Sequence, residues 1–141
     1  MSHRRAPLWL ALTHLLSLSV LVSASSFAEQ GRSPSNARQN VTAGRMRTLR
    51  TCLDIYIERH KSYPATLAIA VDDLYPTPPE DLLRDAWGRS FLYYRTQTTY
   101  FIGSLGRDGQ PDDGAPVTES EDCDITMING TFARVPTYVE Q

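Results

Sequence analysis

The residues with most chemistry to offer crowd into one connection, Arg107 to Asp124 (RDGQPDDGAPVTESEDCD). Asp108, Asp112, Asp113, Glu119, Glu121, Asp122 and Asp124 place seven carboxylates there against Arg107 alone. Like charges so concentrated need a counter-ion or abundant water. Carboxylate and carbonyl oxygens with no imidazole among them suit a hard cation such as Ca²⁺, which takes about six to eight oxygen ligands in flexible geometry. Without one, the loop should be loose; a solvated acidic surface is the plain alternative. An EF-hand beginning at Asp108 would put Glu119 at the last ligand position. It fails because Asp113 stands where glycine is required, Pro111 interrupts the loop, and strand-like sequence precedes it.

Catalysis finds little support. His60 is the only histidine after residue 28 and lies at the helical spacing of an apolar face, so it reads as a packed or half-exposed side chain. No G-x-S-x-G, HExxH, phosphate loop or CxxC occurs. Paired carboxylates could serve a small secreted hydrolase, but residues 29–141 leave little chain for a cleft around them. With a formal net charge of -2, the chain has no basic excess for nucleic acid.

Residues 1–28 read as a secretory signal peptide: Arg4 and Arg5, an apolar run from Leu8 to Val22, then small residues at Ser26 and Ala28. The alternative is a retained anchor, but a run of about 15 residues is short of the ~20 that span a bilayer. The expectation is a periplasmic or secreted protein with no membrane span in the mature chain. Export favours a disulfide between Cys52 and Cys123 over a metal or catalytic pair. Closing a loop of about 70 residues would stabilise the fold by roughly 4 kcal/mol at most. Two free, buried thiols are the other reading.

The elements that must position these groups follow in order. Residues 29–40 are polar, with Gly, Pro and Ser, and read as a flexible leader to a domain over 41–141. Met46, Leu49, Leu53, Tyr56, Ile57 and His60 recur at spacings of three and four, which predicts one amphipathic helix from about Val41 to Lys61. Pro64 closes it. A short helix is expected over Thr66 to Leu74, and the prolines at 76, 78 and 79 then impose an irregular path. Phe91–Arg95 and Thr98–Ser104 have the content of a hairpin. A third strand is expected at Asp124–Ile128 or Thr131–Val135, on either side of the Asn129-Gly130 turn signal. The predicted fold is α+β: one long helix packed on a small antiparallel sheet, with a long acidic loop. Alternation puts Phe91 and Tyr93 on one face and Leu92 and Tyr94 on the other, with the Trp87 face against the helix.

This order carries a resemblance. Tyr63-Pro64 after the helix, then Asp85, Trp87, Gly88, Phe91 and Tyr93, then Tyr100, Ser104, Gly106, Asp108 and Gly109, resemble the C-terminal periplasmic domain of the major pseudopilin of type II secretion systems. That family has a YP turn, a D-P-W-G-x-P-Y-x-Y element and a Y-x-x-x-S-x-G-x-D-G element. The likeness covers about Met46 to Ile125. Ala86 replaces the usual proline, the cysteine pair is not part of the pattern, and the glycine-phenylalanine cleavage site followed by a polymerising helix is missing. The resemblance implies a non-enzymatic structural or interaction domain with other pseudopilins or secretion-system proteins as partners; a free periplasmic binding module is the alternative. It also implies Ca²⁺ held by Asp108, Asp124 and the Leu105 carbonyl, with Asp122 as a further oxygen donor.

Overall fold

The computed structural model describes residues 34–139. The expected signal peptide lies outside them. Helix α1 runs Pro34–His60, α2 Leu67–Leu74, and four strands follow: β1 Leu92–Arg95, β2 Tyr100–Ser104, β3 Ile125–Ile128 and β4 Thr131–Arg134. The strands form one antiparallel sheet in the order β1-β2-β3-β4. The α+β expectation therefore holds, and the two segments proposed as alternatives for a third strand both pair, as a hairpin.

α1 starts about two turns earlier than its apolar spacing suggests. Residues 34–40, expected as flexible leader, are helical. The reason is that the buried stripe continues backward through polar residues. Gln39, Thr42, Ala43, Met46, Leu49 and Leu53 are all fully inaccessible to solvent, at steps of three and four. The helix stops where Lys61 turns left-handed (φ 55) while its N–H still reaches the Ile57 carbonyl. Thr66 caps α2, its hydroxyl oxygen accepting from the Ile69 N–H at 3.4 Å.

Cross-strand register aligns Tyr93, Ile102, Met127 and Phe132 on one face. This row joins the α1 stripe, Leu67, Ala70, Val71, Leu82 and Phe91 in a single core. The opposite face carries Tyr94, 64% exposed, and Ile128, as strand alternation requires. At the β3–β4 corner Asn129 (φ 47) and Gly130 (φ 80) both adopt left-handed backbone, the two-residue turn that suits the twist of a hairpin. A bulge at Ala133 lets Thr126 face Arg134 while Met127 faces Phe132.

Candidate functional site

The D-x-W-G corner is built round one buried carboxylate. Asp85 is 2% exposed. Its Oδ1 accepts from the Trp87 N–H (3.0 Å) and the Arg89 N–H (2.9 Å), and its Oδ2 from the Ser104 hydroxyl (2.9 Å). Three donors compensate most of the desolvation of a buried charge. α1 clamps the same corner: Arg45 donates to the Arg84 and Asp85 carbonyls, and the Thr42 hydroxyl accepts the Ala86 N–H. The corner thereby aims Arg89 across the start of the acidic loop, where it donates to the Gly106 carbonyl (2.7 Å) and the Arg107 carbonyl (2.6 Å).

The loop is cross-tied by cations and amides of the protein itself. Arg107 grips Asp122 with two hydrogen bonds of 2.8 and 2.9 Å and reaches Glu121 at 3.4 Å. Arg134, on β4, binds Asp112 at 2.6 Å and also donates to the Ala115 and Pro116 carbonyls. Gln39 reaches the other side of the loop: its side-chain amide donates to the carbonyls of Ser120 (3.3 Å), Glu121 (3.1 Å) and Cys123 (3.0 Å). Gly106 sits at the junction with φ 59, and a Cβ there would lie 2.3 Å from the Asp122 carbonyl oxygen. Only glycine allows that approach.

Asp112 and Asp124 form a reciprocal pair. The Asp112 N–H donates to Asp124 Oδ2 (2.9 Å) and the Asp124 N–H to Asp112 Oδ2 (2.8 Å). The Asp124 N–H, with Arg134 beside it, holds the Asp112 carboxyl below the usual carboxylate range. Asp124 moves the other way: burial pushes its carboxyl up, and the charges of Asp112 and Asp108 add to the shift. It is 7% exposed, and its Oδ1 is buried with no hydrogen-bond partner. An ionised oxygen left so is costly.

The expected ligands are therefore not equivalent. Asp124 presents an unpartnered buried oxygen, and Asp108 is near enough to perturb it. The Leu105 carbonyl accepts the Gly109 N–H at 3.1 Å and keeps a second lone pair. Asp122 is engaged elsewhere: Arg107 first, then the Ser120 hydroxyl, hold its carboxyl low. Among the described residues no three His, Cys, Asp or Glu side chains converge as a metal cage, so a cation here would rest on few carboxylates and several neutral oxygens.

The expected disulfide is not formed. Cys52 and Cys123 are both buried and both free. Cys52 belongs to the apolar core, where burial raises its thiol, whereas Cys123 lies in the loop and directs its sulfur at the Asp124 carbonyl. His60 leaves the apolar stripe as well, its Nε2 lying 3.2 Å from Asp73 Oδ1 and its ring against Tyr56. Gln39 and Arg134 were missed by sequence reasoning. Extending the three-and-four spacing back from Met46 would have reached Gln39; no local signal marks Arg134.

No curated protein and no solved structure is similar enough to the chain to be matched to it. The sequence profile of the family described as Type II secretion system (T2SS), protein G matches residues 31–127. The matched span takes in α1, the Asp85 corner, the first two strands and the acidic loop, and ends within β3, before β4. Because that match covers more than half of the sequence, the chain belongs to the type II secretion system protein G family.

Proposed function

We propose that this chain is a non-enzymatic structural domain of a type II secretion machine, acting in the periplasm through contacts with other pseudopilins or secretion-system proteins. The observation that carries this reading is the family match across the whole helix, corner and loop unit. The geometry is in keeping with it, since the buried polar groups of Asp85 and Gln39 spend their hydrogen bonds on holding backbone in place. The test is capture of the full chain from cells by cross-linking. Secretion-system proteins among the partners, with loss of export on deletion, support the assignment; an intact export phenotype overturns it.

The second part of the proposal is that the loop takes Ca²⁺ at Asp124. The supporting observation is the buried, unpartnered Asp124 Oδ1 with Asp108 close by. Asp108, Asp124 and the Leu105 carbonyl would hold the ion, and Asp122 would join only by releasing Arg107. A bound divalent cation would offset the burial, and the neighbouring charges, that raise Asp124 and tie the loop to the end of β2. Thermal unfolding in millimolar Ca²⁺ and in chelator checks this. Wild type should melt higher with Ca²⁺, Asp124→Ala should lose that increment, and Asp122→Ala should keep most of it. Wild-type melting indifferent to chelator removes the ion.

A further inference from the structure

Arg134 engages the acidic loop much as a bound cation would. It comes from β4, beyond the span matched to the family. Its guanidinium gathers one carboxylate oxygen, Asp112 Oδ2, at 2.6 Å through Nη2 and 3.1 Å through Nε, and two carbonyl oxygens, those of Ala115 at 2.6 Å and Pro116 at 3.2 Å. A carboxylate together with neutral carbonyls is the kind of oxygen set that a hard cation takes. The contact is not a loose surface pair: all three guanidinium nitrogens meet the loop, and the Arg134 side chain is only 17% exposed.

The carboxylate it takes is the one locked to Asp124. Each of the two backbone N–H groups donates to the other residue's Oδ2, at 2.9 and 2.8 Å. Asp124 Oδ1, on a residue 7% exposed, is buried beside them without a partner, and the charges of Asp112 and Asp108 both act on it. The three carboxylates are thus electrostatic neighbours, yet among the described residues no three of them converge as a metal cage. Arg134 draws Asp112 Oδ2 to the β4 side and offsets its charge.

We infer that Arg134 is a counter-ion built into the chain: it orders residues 112–116 without a metal, and it keeps cation binding at Asp124 weak by withholding the Asp112 carboxylate. This deepens the Ca²⁺ reading above and rests on it. A guanidinium and a divalent ion repel each other and want the same oxygen, so they compete for Asp112. The loop then has one ordering device in chelator and another in abundant calcium.

Calorimetric titration of the purified full chain with Ca²⁺ tests the inference, because a merely structural arginine and a competing one predict opposite signs. Losing a structural tie would loosen the loop and weaken binding. Losing the competitor frees Asp112 and removes a positive charge beside the ion, so Arg134→Gln should bind Ca²⁺ at least about tenfold more tightly than wild type, since ligand charge tunes the affinity of such sites. Arg134→Lys keeps the charge and should stay close to wild type. R134Q/D112N removes both partners and should return close to wild type as well. Thermal unfolding gives a second readout: Arg134→Gln should melt below wild type in chelator and recover most of that loss in millimolar Ca²⁺. Binding by Arg134→Gln that is no tighter than wild type, or a variant that Ca²⁺ cannot restore, overturns the inference while leaving the Ca²⁺ reading intact wherever wild type binds. Wild type that binds no Ca²⁺ beside an Arg134→Gln variant that does would sink the Ca²⁺ reading of the native loop alone; binding by neither sinks both.

Discussion

At the scale of single residues, the loop is organised by polar side chains that are themselves buried. Gln39 shows it most clearly. One amide serves three carbonyls spread over Ser120 to Cys123; removing it would take the donor from the buried Cys123 carbonyl and leave the Ser120 and Glu121 carbonyls only the Cys123 and Arg107 N–H groups. Losing such a group costs about 1–3 kcal/mol, with a cavity added. We therefore expect Gln39→Ala to lower stability by roughly 2–4 kcal/mol in denaturant melts, and amide exchange to rise first in residues 120–123. A change of only a few tenths of a kcal/mol would mean the loop is held by its arginines alone. Asp85 is the corresponding hub of the corner.

At the scale of elements, the junction between β2 and the loop depends on one backbone position. Gly106 is left-handed, and its missing Cβ makes room for the Asp122 carbonyl. Gly114 is left-handed too (φ 81), but has nothing within 4 Å of its hypothetical Cβ. The pair separates conformational strain from collision. Gly114→Ala should cost about 1 kcal/mol, the usual penalty of a left-handed alanine. Gly106→Ala should cost several times that, about 3 kcal/mol or more, because backbone on both sides must move. Equal losses in thermal melts would show the junction to be softer than described here. Thr66 is a milder case, a cap whose removal costs about 1 kcal/mol.

At the scale of the whole molecule, charge is shared out between distant parts of the chain. Arg89, Arg107 and Arg134 come from three different places to meet the loop, while Arg59 and His60 at the end of α1 meet Asp73 of α2. The His60 hydrogen bond, then Arg59, hold the Asp73 carboxyl below its ordinary value of 3.8. The folded state thus binds that proton less readily than the unfolded chain. The resulting stability is present above about pH 4 and is lost as pH falls through the folded-state value. Asp73→Asn should melt slightly below wild type near neutral pH, with the two curves converging as pH falls through the folded-state value. A gap that widened in acid would contradict the sign. Being exposed, the pair gives a small shift.

Much of this was legible in the linear chain because it depends on neighbours in sequence. Spacings of three and four located α1 and its apolar face, Pro64 marked the end of α1 and Thr66 the start of α2, and Asn129-Gly130 specified a hairpin turn whose partners both proved to be strands. Local signals failed where a polar residue occupied a core position: Gln39 sits on the buried stripe, and the composition around it reads as leader. What the acidic loop would meet was beyond such signals altogether. The local composition of residues 107–124 shows one opposing arginine, but folding brings two more and an amide from residues up to 84 positions away. The surroundings of Cys52 and Cys123 were likewise decided by packing, the first in the apolar core and the second in the loop against the Asp124 carbonyl. Periodicity and turn chemistry determined the elements; the counter-charges of the loop were settled only by tertiary packing, because a buried charge is satisfied by whatever donor lies within about 3 Å, without regard to its distance along the chain.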